Sequence, residues 1–195
     1  MSRPARAGVV VPIRAFSVGK ARLAERLGAQ ERADLARRFA ERVVAAAGAM
    51  PLVVVTSAPE VREWAAASSL ATLDDPGSLD EAAAAGREWL AARACVRAVI
   101  AHADLPFARS LEPVANDGAA AVVALVPCHR DDGTPVLSVP VAAGFRFAYG
   151  PGSFRRHVEE ARRLALEVRV VRDPDLAFDV DVPADLERLR VRHWS

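Results

Sequence analysis

Three aspartates in two short segments have the residue types and spacing that could do chemistry: Asp104 in His102-Ala-Asp-Leu-Pro106, and Asp179 with Asp181 in Phe178-Asp-Val-Asp-Val-Pro183. Each segment follows or closes an apolar run that reads as a strand. Each therefore brings carboxylates to a strand's carboxyl end, where parallel sheets hold their ligands. In an extended Asp-x-Asp the two side chains leave the same side of the chain, because side-chain direction alternates with period two. Two carboxylates on one face, with a third from a neighbouring strand, make an oxygen-ligand set suited to Mg²⁺, which usually keeps waters and substrate phosphates as its other ligands. Phosphoryl or nucleotidyl transfer is the chemistry such a set serves. Both segments also have a plainer reading. Asp104 could be a turn former, and Asp181 could cap a helix beginning near Pro183, where Asp185 is a favourable first-turn acid.

The remaining polar strings are ambiguous when taken singly. Tyr149-Gly-Pro-Gly-Ser-Phe154 opens a helix at Ser153. Its glycines, Gly150 and Gly152, would let backbone approach a ligand, and the free N–H groups of a helix start suit a phosphate. It reads equally as a Gly-Pro turn with a serine cap. Asp132-Gly-Thr134 is a hairpin turn, or a source of hydroxyl and amide donors to a phosphate. In Phe16-Ser-Val-Gly-Lys-Ala-Arg-Leu23, Lys20 and Arg22 stand where a first βα loop holds nucleotide, or are two solvated helix-start cations. That string lacks P-loop spacing, and there is no Gly-x-Gly-x-x-Gly fingerprint. His102 precedes Asp104 by two residues without pairing to a nucleophile. His157, one turn into its helix, is expected to face solvent. No Cys/His zinc spacing and no Gly-x-Ser-x-Gly elbow occur.

The elements that must position these residues alternate. Strands are expected at 8–13, 52–56, 70–73, 96–101, 119–126 and 167–171, with an extended stretch at 136–139. Helices are expected at 21–27, 30–47, 59–68, 79–93, 110–116, 153–165 and from Val182 onward. Leu35, Phe39, Val43 and Ala46 share one helix face. Ser78 and Glu81 form a capping box for the helix from Leu79. Alternating strands and helices imply an α/β fold with a mostly parallel sheet flanked by helices, in one domain over 1–195.

Composition narrows the class. Apolar residues make up 52% and charged residues 26% of 195 residues, an ordinary globular balance. A formal net charge of +1 leaves no global basic field for nucleic acid. Two cysteines, Cys95 and Cys128, beside apolar runs fit a reduced cytosolic protein better than a disulfide scaffold. The start reads straight into a strand without a secretory signal, and no apolar stretch reaches transmembrane length, so a cytoplasmic protein free of membrane is expected.

Taken in order, these segments resemble the guanylyltransferases that make the activated side-chain precursor of coenzyme F-420, the 2-phospho-L-lactate or phosphoenolpyruvate guanylyltransferases. The resemblance covers nearly the whole chain: Pro12, Lys20-Ala-Arg-Leu23, Asp75-Pro-Gly-Ser-Leu79, Ala103-Asp-Leu-Pro106, Asp132-Gly-Thr134, Phe147-Ala-Tyr-Gly-Pro-Gly-Ser-Phe154 and Asp179-Val-Asp-Val-Pro183. Its most specific part is Phe-x-x-Gly-Pro-Gly-Ser-Phe followed by Asp-Val-Asp-x-Pro. It implies a GT-A-type nucleotidyltransferase fold and Mg²⁺-dependent transfer of GMP from GTP to a small phosphorylated acid. Asp104, Asp179 and Asp181 would hold metal. Thr134, Gly150, Gly152 and Ser153 would hold the acid. Pro12, Lys20, Arg22, Gly77 and Asp80 would meet the nucleotide, with Lys20, Arg22 and Asp104 as the catalytic set. The labile product would be passed to a downstream transferase.

Three departures bear on substrate. The family usually has Leu-Asn where this chain has Leu79-Asp80, whose carboxylate could accept from guanine N1–H and N2–H₂. Asp-Gly-Thr-Asn is Asp132-Gly-Thr-Pro135 here, and the usual lysine after the first proline is Arg14, one place further on. The departures leave open another phosphorylated acid, such as 3-phosphoglycerate, another nucleotide, or a non-catalytic nucleotide-binding protein.

Overall fold

The unbroken apolar runs are the interior of a seven-stranded sheet in the computed structural model, which describes residues 6–18, 20–115 and 121–191. The strands are β1 (Ala7–Pro12), β2 (Leu52–Val55), β3 (Ala71–Leu73), β4 (Arg97–Ala101), β5 (Val122–Val126), β6 (Val136–Pro140) and β7 (Glu167–Val170). Their order across the sheet is β3-β2-β1-β4-β6-β5-β7. All share one direction except β6, which is antiparallel to both neighbours, with Leu137 opposite Ile100 on one side and Leu125 on the other. The mostly parallel mixed sheet expected from the sequence is therefore present. Val9, Val10 and Val11, like Val53, Val54 and Val55, are wholly buried, because helices cover both faces.

On one face lie α1 (Ala29–Ala46), α2 (Pro59–Ala67) and the short α4 (Glu112–Ala115), burying Ala40, Val43, Val61, Trp64 and Val114. On the other lie α3 (Leu79–Ala91) and α5 (Ser153–Arg163), burying Ala82, Ala83, Leu90 and Ala161 with Phe145. Gly86 lets α3 lie close on β1: a Cβ there would stand 2.3 Å from Val10 Cγ1. That contact holds the N-terminus of α3 at the carboxyl rim of the sheet. A third cluster, Leu23, Phe39, Phe178, Val180, Leu186 and Leu189, fastens α6 (Pro183–Val191) and the segment before it to α1.

Boundaries differ where caps decide them. The expected helix over 21–27 is only a 3-10 turn, Ala21–Leu23; α1 starts afresh after Gly28, whose N–H donates to Glu31 Oε2 at 2.7 Å. The Ser78 cap is as expected, accepting from Glu81 N at 3.2 Å. The expected strand start at Ala119, the helix end at Asn116 and the last four residues of the tail lie outside the described residues. No helix among the described residues is long and apolar enough to cross a membrane.

Candidate active site at the carboxyl rim of the sheet

Asp104 follows β4, and Lys20 follows β1, so adjacent parallel strands deliver an acid and a base to the same rim. Lys20 has φ 61°, the left-handed region that costs a non-glycine residue about 1–2 kcal/mol. Its ammonium donates to Asp104 Oδ2 at 2.7 Å and to the Val180 carbonyl at 2.6 Å, with Asp181 Oδ1 at 3.6 Å. Lys20 is thus not the solvated helix-start cation of the plainer reading but is paired inside the acidic cluster. Burial works against its charge, yet Asp104, Asp181 and Asp179 hold its ammonium above the ordinary lysine range. Burial likewise works against ionised Asp104, and the Lys20 charge overcomes it, lowering that carboxyl.

Asp179 and Asp181 do not end a strand. They lie in irregular chain between β7 and α6, a correction to the extended reading. Val180 between them is wholly buried; Asp181 reaches Lys20 at 3.6 Å, while Asp179 Oδ1 stands against His129 at 3.0 Å and Arg130 at 3.7 Å and feels the charges of Lys20 and Asp104. Burial first, then the charges of Asp104 and Asp181, push the Asp179 carboxyl up.

Asp181 is not the helix cap. That role falls to Asp185, whose Oδ2 accepts from Asp181 N at 2.9 Å and Val182 N at 3.0 Å while Arg130 donates to both its oxygens. Burial opposes ionised Asp185, but those backbone donors and Arg130 lower its carboxyl. His129 stacks on Phe178 and stands 3.0 Å from Asp179. His129, Arg130 and Asp185 therefore shape the acidic segment, and no functional reading of the sequence included the first two. The signal for Asp185 was its place three and four residues beyond the N–H groups it accepts.

A cavity of about 550 Å³ opens over this rim, lined among others by Pro12, Arg14, Lys20, Arg22, Leu79, His102, Asp104 and Asp181. Pro12, Lys20 and Arg22 thus come together with two of the three aspartates. Gly77 and Asp80 lie beside Leu79 but not in that lining; Asp80 Oδ1 accepts from Tyr149 N at 2.7 Å, tying α3 to the Gly-Pro-Gly loop.

Thr134, Gly150, Gly152 and Ser153 form a second cluster. Thr134 and Ser153 are buried with their hydroxyls 3.3 Å apart. Gly150 and Gly152 have φ 99° and 73°, conformations that require glycine. The helix-start N–H groups are not free, however. Gly152 N donates to Asp132 Oδ1, Ser153 N to Gly150 O and Phe154 N to Asp132 O, so two of these donors go to the β5–β6 turn and one to the loop before α5.

The turn at Asp132-Gly-Thr134 joins β5 to β6, as its hairpin reading had it. Arg156 grips the loop through the carbonyls of Ala148, Tyr149 and Pro151. His157 does not face solvent: it is wholly buried, between Thr134 Oγ1 and Ala148 N. Its four-residue spacing from both Ser153 and Ala161, each buried, was the available signal. The two clusters meet where the His102 ring, in the cavity wall, packs 5.3 Å from that of Tyr149.

Among the described residues no three side chains stand ready to ligate a metal, and Lys20 holds the place between Asp104 and Asp181. Two carboxylate oxygens nonetheless remain buried without a hydrogen bond, Asp104 Oδ1 and Asp179 Oδ1. Asp104 Oδ1 is unpartnered, Asp179 Oδ1 has only the ion-pair neighbours His129 at 3.0 Å and Arg130 at 3.7 Å, and with Asp181 these anionic oxygens fit a hard divalent cation.

The family model described as "Guanylyl transferase CofC like" matches residues 7–193. The chain belongs to this family. A phosphoenolpyruvate guanylyltransferase of Sphaerobacter thermophilus is 36% identical over 187 residues, 92% of this chain and 90% of that protein. A 2-phospho-L-lactate guanylyltransferase of Methanocorpusculum labreanum is 32% identical over 88% of this chain and 77% of that protein. Among solved structures, a nucleotidyl transferase from Methanothermobacter superposes with a TM-score of 0.66 at 16% identity, covering 96% of this chain and 97% of the other, a likeness of fold. The family member is a GT-A-like nucleotidyltransferase, as its sequence resemblance implied.

Proposed function

We propose that the chain transfers GMP from GTP to phosphoenolpyruvate or 2-phospho-L-lactate and releases pyrophosphate, the activation step of the F-420 side chain. Family membership supports the reaction class, and the observation that carries the site is the cavity in which Lys20 and Arg22 share walls with Asp104 and Asp181. In this reading the triphosphate lies along Arg14, Lys20 and Arg22, and guanine lies toward Gly77, Leu79 and the second oxygen of Asp80. A phosphate oxygen of the acid attacks the α-phosphorus. The bond from that phosphorus to the bridging oxygen breaks, and pyrophosphate leaves with the electron pair.

The acceptor phosphate is already ionised near neutral pH, so no strong general base is needed. Arg22 and Arg14 neutralise charge building on the leaving pyrophosphate, as preorganised cations do in phosphoryl-transfer sites. Asp104, Asp179 and Asp181 would hold Mg²⁺, which supplies charge neutralisation at the reacting phosphates. Thr134 and Ser153 orient the acid, with Gly150 and Gly152 shaping the loop around it.

A reaction consuming GTP belongs in the cytoplasm, where the nucleotide is made. Its reactive anhydride product calls for a transferase that accepts it promptly.

The test is pyrophosphate release with GTP and Mg²⁺, offering phosphoenolpyruvate, 2-phospho-L-lactate and 3-phosphoglycerate separately, with mass analysis of products. A guanylylated adduct of one of the first two is expected. GTP binding with no release for any acid would overturn the reading.

A further inference from the structure

We propose that His157 is a positioning residue for the acceptor, fixing the hydroxyls of Thr134 and Ser153 so that the Ser153 O–H is left to donate to an anionic group of the bound acid. The proposal rests on the reading of Thr134 and Ser153 as acceptor contacts; what it adds is a direction for each proton.

The chain of directions starts at the backbone. Ala148 N–H donates to His157 Nε2 at 3.1 Å, so that nitrogen must carry a lone pair. A neutral ring then has its proton on Nδ1, which faces Thr134 Oγ1 at 3.1 Å. The ring is neutral because burial, seconded by the Arg156 charge, takes its pKa down to about 4. It is also fixed in place, with the Tyr149 ring edge-on at 4.8 Å and Phe145 at 5.9 Å.

Thr134 accepts from Nδ1–H and lies 3.3 Å from Ser153 Oγ, a pair in which either hydroxyl could donate; the proposed relay assigns the Thr134 proton to Ser153. Ser153 Oγ becomes an acceptor there, and its proton must point elsewhere. The carbonyls of the Gly-Pro-Gly loop each already have one donor: Arg156 serves those of Ala148, Tyr149 and Pro151, and Ser153 N serves that of Gly150. In that assignment the arrangement ends in one Ser153 proton not used by Thr134, which suits a carboxylate or phosphate oxygen and not another donor.

Two substitutions separate this relay from mere packing. In His157→Asn the amide nitrogen takes the place of Nδ1 and can still donate to Thr134. In His157→Gln the amide takes the place of Nε2, keeping the Ala148 bond and leaving Thr134 without a donor.

Steady-state kinetics with phosphoenolpyruvate and GTP should show a KM for phosphoenolpyruvate raised about tenfold in His157→Gln, the scale of one weakened hydrogen bond to a charged group. Its KM for GTP should stay within about twofold, and His157→Asn should stay near wild type. Equal losses in both variants, or KM values for both substrates moving together, would overturn the relay.

A second measurement needs no variant. Nitrogen chemical shifts of ¹⁵N-histidine-labelled wild-type protein report the tautomer. Protonated Nδ1 with bare Nε2 at His157 is expected, and the opposite tautomer refutes the proposal. If wild-type protein guanylylates none of the acids, the functional reading fails, and the tautomer still decides the relay.

Discussion

Replacing Lys20 with methionine removes the cation from the acidic cluster while leaving a side chain of similar length and the same strained backbone requirement, since neither residue is glycine. Asp104 would remain with one buried, unpartnered oxygen, and its other oxygen would lose a donor at 2.7 Å. Breaking a buried ion pair by deleting one partner costs about 3–5 kcal/mol, and the 25% exposure of the Asp104 side chain favours the lower end, about 3 kcal/mol. For a chain of this size that corresponds to a fall in Tm of about 6–12 °C.

The pH dependence carries the sharper test. In the wild type the Asp104 carboxyl is lowered in the folded state, so its contribution is present above the unfolded value of 3.8 and is lost as pH falls below it. Without Lys20, burial dominates and raises that carboxyl, so the folded state binds the proton more tightly and gains stability as pH falls toward 4. Thermal unfolding followed by circular dichroism in EDTA, from pH 7.5 to 4.5, should show the deficit of Lys20→Met shrinking on acidification. Adding Asp104→Asn should recover much of it at pH 7.5. A Tm within about 2 °C of wild type, or a deficit independent of pH, would refute the pairing.

Other expectations follow from the same rim. Asp181→Asn should lower kcat by about 100-fold or more with Tm little changed, because its side chain is 42% exposed and serves no cap; near wild-type turnover would remove it from the metal set. Asp185→Asn weakens a carboxylate that takes two backbone donors and Arg130, and should destabilise by about 2 kcal/mol in urea unfolding. Arg156→Met frees the carbonyls of the Gly-Pro-Gly loop. It should raise KM for phosphoenolpyruvate at least about fivefold while GTP binding, measured by calorimetry, is retained.

Strand and helix positions were legible because apolar runs and caps announce them, and Asp104 was legible because it follows a strand end, whereas the strand expected to close at Asp179 and Asp181 is irregular chain. The order of the sheet was not legible, since nothing local to Val136–Pro140 says that it slips between β4 and β5. The partner of Lys20 was equally hidden: Asp104 and Val180 lie 84 and 160 residues away, and only the assembled sheet joins them. His157 was misread because a histidine near a helix start suggests solvent, whereas Ser153, His157 and Ala161 form one inward stripe. The free N–H groups expected at the start of α5 failed for a local reason: the Asp132 carboxylate and carbonyl take those of Gly152 and Phe154, and the Gly150 carbonyl takes that of Ser153.

The reversed strand β6 has a consequence for how such a protein can diversify. A parallel neighbour would have required a crossover through a helix, coupling any change at the rim to a repacked layer. Here residues 127–135 bridge two adjacent strands directly, so a change at this hairpin tip needs no new crossover, provided the contacts of His129, Arg130 and Asp132 are kept. The tip carries Arg130, Asp132 and Thr134, whereas Lys20 and Arg22 stand on the far side of β4 in the loop after β1. Selection for a new small acid could therefore act on one short insertable piece, leaving the nucleotide half of the rim under separate constraint.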